Sequence, residues 1–229
     1  MSERPILFSS EMVRAILDGR KTQTRRKAPI RELKILQHPG DMLTWSVSFL
    51  KAIKGTLTSH SGGRFSDLQA RSIIASRFNP YGKPGDLLWV RETWGRTTNV
   101  NDSPLWPGRA HIPMDGGEVV IFAADGHWQW CDGDGFATER SMWRPSIHMP
   151  RWASRITLRI TDVRVERLQD IREDDARAEG CDPVIHEDGA IDCGTRKTTF
   201  ARLWNRINGC GAWEANPWVW AISFERVTP

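Results

Sequence analysis

Apolar positions along this chain fall into short runs, and their spacing changes from one run to the next. Pro5-Ile6-Leu7-Phe8 predicts a short strand. Ser9 or Ser10 then supplies an N-cap. Met12, Val13, Ile16 and Leu17 line one face of a helix that Gly19 stops. The segment Arg20-Lys21-Thr22-Gln23-Thr24-Arg25-Arg26 follows at once and is polar and basic. From Leu43 to Ile53 the pattern suggests a strand pair, from Leu68 to Phe78 a helix, and Ser59 to Gly63 a turn. The Pro and Gly of Tyr81 to Asp86 carry strong turn chemistry. Leu87-Leu88-Trp89-Val90 then reads as a buried strand that runs on to Trp94.

Residues 97–143 are rich in Gly, Asp, Pro and Trp and read as an insertion or long hairpin. Within them, Val119 to Ala124 predicts a strand that Trp128 to Trp130 could pair with across Asp125-Gly126. Arg144 to Arg155 has no periodicity and is expected to be a loop that nevertheless packs. Ile156, Leu158 and Ile160 alternate with polar residues, and the alternation then shifts by one to Val163 and Val165. Such a shift predicts a bulge or bend, as barrels use to close. Asp170 to Glu173 resembles a capping box that opens a helix ending at Glu179, with Gly180 as its stop. Phe200, Leu203, Trp204 and Ile207 have helical spacing, and Gly209 and Gly211 end that run. Trp218, Trp220, Ile222 and Phe224 alternate as a final strand. The expected class is therefore α+β: one domain over 1–229, a mixed β-barrel with peripheral helices and long insertions at about 30–78 and 97–143.

Composition narrows the class of protein. A chain of 229 residues, 39% hydrophobic and 26% charged, can bury a core without disulfides or metals. The net charge of +4 is mildly basic. It fits either an ordinary solvated surface or a phosphate-bearing partner. The twelve Trp against one Tyr suit both core packing and base stacking. Four Cys lack CxxC pairing. Cys181, His186, Cys193 and Cys210 match no common zinc spacing, so free thiols in a reducing cytosol are expected, with no metal and no cofactor. No apolar run approaches the ~20 residues of a membrane span, and Met1 to Pro5 lacks a signal-like apolar region. A cytoplasmic protein without membrane association is the expectation.

Four groups of residues could carry chemistry. Lys21 and Thr24 converge if the turn continues helically. A desolvated Lys can act as a base near neutral pH, and a nearby Thr hydroxyl as nucleophile. The plain alternative is a solvated basic turn that includes Arg25 and Arg26. Glu179, at a helix C-terminus, faces the negative end of the dipole, which favours its protonated form and suits a general acid. Its plain alternative is an exposed surface Glu. Arg91, Glu92 and Trp94 end a strand, where they either line a site or form rim ion pairs. In the loop, His148 is a candidate acid or base, and Arg144, Arg151 and Arg155 form a candidate phosphate-facing group. No GxxxxGK[ST] or GxGxxG loop is present.

Ile16-Leu17-Asp18-Gly19-Arg20-Lys21-Thr22-Gln23-Thr24-Arg25 resembles the opening signature of the ASCH family, whose fold is a PUA-like barrel. Pro84-Gly85-Asp86, Leu168 to Gly180 and Trp218 to Val227 resemble its later blocks in order. Trp143 to Arg155 is similar to a segment of prophage- and phage-encoded ASCH proteins. The resemblance implies RNA or a modified nucleoside as partner. Small bacterial members are N(4)-acetylcytidine amidohydrolases with a Lys base, a Thr nucleophile and a Glu acid. Those roles would fall on Lys21, Thr24 and Glu179, with Arg25, Arg26, Arg91, Glu92, Trp94, His148, Arg151 and Arg155 around the ligand. Other members are ribonucleases, for which His148 and Lys21 would be acid–base candidates, or binding modules without chemistry.

Overall fold

The computed structural model describes residues 1–38, 42–49, 54–58, 75, 78–97, 112–113, 119–126, 143–182 and 194–227. The chain is α+β and divides into two compact units. One comprises Met1–Gly19, Leu87–Arg159 and Arg226–Pro229, and the other Arg20–Asp86 and Ile160–Glu225.

In the first unit, β1 (Glu3–Leu7) pairs in parallel with β6 (Leu87–Arg91), from Glu3 opposite Leu87 to Leu7 opposite Arg91. Helix α1 (Ser10–Leu17) begins as the pattern predicts, with the Ser9 hydroxyl accepting from the Met12 N–H at 3.5 Å. It buries Val13, Ala15 and Ile16, and Arg14 donates to the Ala124 carbonyl at 3.1 Å. A second sheet has the order β7-β9-β8, formed by Trp94–Thr97, Val119–Phe122 and Ile112–Pro113 respectively. Trp94, Val120, Phe122, Met149 and Ala153 form its core. The aperiodic 144–155 segment packs as expected. It contains two 3-10 turns, Ser146–His148 and Arg151–Ala153, and an antiparallel bridge from Arg144 to Trp94.

In the second unit, β2 (Gln23–Lys27) pairs antiparallel with β11 (Trp218–Val227). Helices α2 (Glu173–Ala178) and α3 (Arg196–Asn208) supply Ala176, Phe200 and Trp204 to a cluster with Leu168, Ile171, Cys181 and Val219. An antiparallel meander spans β3 (Ile30–His38), β4 (Met42–Phe49) and β5 (Lys54–Thr58). Residues 43–49 are thus the middle strand of three. The expected helix at 68–78, the Ser59–Gly63 turn and the Trp128–Trp130 strand lie mostly or wholly outside the described residues.

Strand β10 (Thr157–Arg167) begins in the first unit and continues in the second. In the first unit the order is β1-β6-β10, and in the second β10-β11-β2. The shift in alternation does appear, since Leu158 and Ile160 are buried, then Val163 and Val165. The strand itself is continuous across that shift. Pairings among the described residues give three sheets and no closed barrel.

Three expectations need correction. The strand predicted from Leu87 to Trp94 breaks at Glu92 and Thr93, and β7 pairs in another sheet. Glu92 is drawn inward by an arginine, described below. The cap of α2 is Arg172, whose N–H donates to the Asp175 carboxylate at 3.3 Å. Asp170 instead closes a 3-10 turn, because Ile171 must reach the core before the helix can start. Ile207, placed on the buried face by spacing, is 57% exposed in the last turn of α3. Among the described residues, no helix is long and apolar enough to cross a membrane.

Candidate functional site

The basic segment after α1 is not a solvated turn. Gly19 adopts φ +73° and reverses the chain, a backbone region open to glycine without a Cβ clash. The Thr22 N–H donates to the Ala178 carbonyl at 2.8 Å, and the Thr22 carbonyl accepts from the Phe224 N–H at 2.8 Å. Lys21 and Glu179 thereby form an isolated antiparallel bridge. On the other side, Glu179 caps the C-terminus of α2 and Gly180, at φ +83°, turns the chain away. Both side chains are therefore aimed by fixed backbone, although 158 positions separate them.

The Lys21 ammonium donates to Glu179 Oε2 at 2.6 Å and to the Glu179 carbonyl at 2.8 Å. Side-chain exposure is 0% for Lys21 and 3% for Glu179. Arg25 approaches the same carboxylate from β2, with Nη1 3.3 Å from Oε1. Its Nε and Nη2 donate to Glu166 Oε1 at 3.0 and 2.6 Å, and Nη1 donates to Gln23 Oε1 at 2.6 Å. Asp175 lies 3.4 Å from Nη2, and the guanidinium stacks 5.8 Å from the Phe200 ring. Arg164 on β10 binds Asp162, Glu166 and Asp175 in turn.

Burial sets the electrostatics. It pushes the Lys21 amine below its ordinary value, and the charge and hydrogen bond of Glu179 only partly offset this. Burial would raise Asp175, but Arg25, the Arg172 N–H and Arg164 outweigh it and hold the carboxyl low. The Cys181 thiol is pushed up to about 11, first by burial and then by Glu179. It is therefore a protonated core group and not a nucleophile. Burial also lowers Arg26.

The structure thus brings Lys21, Arg25 and Glu179 together, and each faces carboxylate or cation partners. Thr24 is buried on β2 opposite Ile222 of β11, and strand alternation turns it to the face away from Arg25. Arg26 shares that face, opposite Trp220.

The other sequence candidates all belong to the first unit. Arg155 is held by two carboxylates, with Nε and Nη2 3.0 Å from the two Glu92 oxygens and Nη1 2.9 Å from Asp125 Oδ2. It is committed to these partners, so a phosphate-facing role would require breaking them. Arg91 donates to the Met149 carbonyl at 3.0 Å and stacks on Trp89. Trp94 is buried. Arg151 forms an exposed ion pair with Glu3 at 2.7 Å. His148 is exposed on its 3-10 turn.

Sequence reasoning missed Glu166, Asp175, Gln23 and Asp125. The signal for Glu166 was available, since it follows the buried Val165 in β10, where a part-buried charge needs a partner. Among the described residues, no group of three or more His, Cys, Asp or Glu is placed to hold a metal ion. Cys181 and Cys210 are free thiols, and His186 and Cys193 lie outside the described residues. No protein-family model, curated protein or solved structure matches the chain.

Chemically, the buried pair has two tautomers that differ by one proton hop along a 2.6 Å hydrogen bond. The ionic form is ammonium and carboxylate. The neutral form is an amine and a carboxylic acid, which is a base and an acid side by side. Burial disfavours the Lys21 ammonium, and the charge and hydrogen bond of Glu179 favour it.

Proposed function

We propose that this chain is a PUA-like hydrolase that acts on an acylated, cytidine-like nucleoside or on RNA bearing one, as an amidohydrolase with Lys21, Thr24 and Glu179 as its catalytic set. The observation that carries the reading is the dry Lys21–Glu179 contact. Desolvating an ammonium and a carboxylate costs several kcal/mol each, and a well-packed apolar pair of similar volume is often at least as stable. Stability alone thus gives no reason for the pair, whereas acid–base chemistry does.

The proposed reaction requires the Thr24 hydroxyl, which strand alternation puts on the face of β2 away from Arg25, to come within reach of the Lys21 amine; the amine then takes the hydroxyl proton as Oγ attacks the amide carbonyl. A C–O bond forms and the C–N bond breaks. Glu179, in its acid form, gives its proton to the departing exocyclic nitrogen. Water then hydrolyses the acyl ester and returns both groups to their starting states.

The test is turnover of N(4)-acetylcytidine, followed by loss of its ultraviolet band. Lys21→Ala, Thr24→Ala and Glu179→Gln should each lower kcat/KM by at least ~10²-fold, with far-UV circular dichroism unchanged. Wild-type rates in Lys21→Ala and Thr24→Ala would remove the proposal, as would absence of turnover by the wild type.

A further inference from the structure

We infer that the 3-10 turn Arg151–Ala153 presents Trp152 as a stacking platform for the bases of single-stranded nucleic acid, with Arg144 beside it to meet phosphate. The inference concerns the first unit alone and does not rest on the hydrolase reading.

Trp152 is 50% exposed, while Ala153 beside it is fully buried and Met149 before it fills the same core. The segment is anchored without help from the indole. The Ser154 hydroxyl donates to the Val90 carbonyl at 2.8 Å, and the Ser154 N–H to the Arg151 carbonyl at 3.1 Å. Pro145 and Pro150 precede the two turns and stiffen them. A large apolar ring is therefore held in water on a rigid element, at little entropic cost to a ligand that covers it.

The ring's surroundings select the ligand. The ring of buried Trp94 stands perpendicular to that of Trp152, with centroids 5.9 Å apart. The Arg96 guanidinium lies 5.6 Å from the Trp152 ring centre, and that of Arg144 lies 5.1 Å from the Trp94 ring centre. Arg144 is exposed and makes no ion pair among the described residues. From Trp143 to Arg155 the sequence carries Arg144, His148, Arg151 and Arg155 and no acidic residue. Glu3 answers Arg151, and Glu92 with Asp125 answers Arg155. Among the described residues, Arg144 is thus a cation beside the aromatic pair that makes no ion pair. A half-exposed indole flanked by guanidinium groups, with a spare positive charge one ring away, matches base stacking with phosphate contact. A purely apolar protein surface would instead have to desolvate these cations.

The experiment is fluorescence anisotropy of labelled oligo(U), oligo(dT) and an abasic oligomer, each of about twelve nucleotides, titrated with the full chain at low salt. Oligo(U) and oligo(dT) should bind, the abasic chain at least ~5-fold more weakly. Trp152→Ala should weaken binding of the base-bearing oligomers by roughly 5- to 100-fold. Trp152→Phe should retain most of the affinity, which separates stacking from damage to the turn. Arg144→Gln should reduce the slope of log K against log salt by about one. A preference for oligo(U) over oligo(dT) would assign the platform to RNA, and equal affinity to single strands of either sugar. The inference is overturned if no oligomer binds at low salt, if Trp152→Ala binds like wild type, or if the abasic chain binds as tightly as oligo(U).

Discussion

Replacing Arg155 with Met tests whether this guanidinium serves the fold or a ligand. In the native protein it makes paired contacts to Glu92 at 3.0 Å and reaches the Asp125 oxygens at 2.8 and 2.9 Å. Glu92 is 1% and Asp125 6% exposed. Methionine fills much of the same volume over Phe122, whose ring centre lies 3.9 Å from the guanidinium carbon. Packing loss is thus modest, and two buried carboxylates lose their counter-charge. Breaking a buried pair by removing one partner costs about 3–5 kcal/mol. Protonation sets the ceiling for Glu92. Holding an ordinary Glu neutral at pH 7 costs about 3.7 kcal/mol, and at pH 5 only about 1 kcal/mol. Burial already raises Glu92 above its ordinary value with Arg155 present. A carboxyl raised on folding contributes stability fully below its unfolded pKa and loses it as pH rises through the folded value. Without Arg155 that window extends upward through neutrality. Urea unfolding of Arg155→Met should therefore show a loss of about 3–5 kcal/mol at pH 7, of which about 2–3 kcal/mol returns at pH 5. Adding Glu92→Gln should recover part of the loss at pH 7. A loss below about 1 kcal/mol at pH 7, or an equal loss at both pH values, would refute the argument.

Lys21→Met gives a second pH signature of the same sign but from a different group. The folded-state amine lies below its ordinary value, so the unfolded chain binds more protons between the two. Wild-type stability relative to Lys21→Met should rise with pH across that window, by at most about 1.4 kcal/mol per pH unit, and parallel curves up to about pH 10 would contradict the lowered value. Glycines of the Tyr81–Asp86 turn should differ. A Cβ on Gly82, at φ +121°, would lie 3.0 Å from Asp86 Oδ2 and 3.3 Å from Ile160 Cδ1, whereas Gly85, at φ +91°, faces open space. Gly82→Ala should cost about 2–3 kcal/mol and Gly85→Ala about 1 kcal/mol, and equal melting temperatures for the two variants would show that the contact is readily relieved.

Local periodicity made several elements legible. The alternation from Trp218 to Phe224, the spacing of Phe200 with Trp204, and the Ser9 cap all correspond to described structure. Periodicity failed where a long-range contact decides. Nothing near Glu92 in sequence announces that Arg155 will draw it inward and end β6. Nothing near Asp170 shows that Ile171 must first reach the core. The site divides in the same way. Lys21 and Glu179 came together through resemblance, because a pattern of a few residues carries no information about a bridge 158 positions long. Arg25 had been grouped with ligand-binding residues. Its actual partners, Glu166, Asp175 and Glu179, depend on which neighbours β2 and α2 acquire in the fold. The parity change in β10 was visible in the sequence and reappears in its burial pattern.

The distance along the chain between Lys21 and Glu179 also has a consequence for biosynthesis. At about 5–20 residues per second, a ribosome emits the lysine on the order of ten seconds before the glutamate. Throughout that interval the amine has no Glu179 to bond, and a truncated polypeptide lacking α2 cannot form the contact. The dry Lys21–Glu179 contact can close only once translation has passed Glu179.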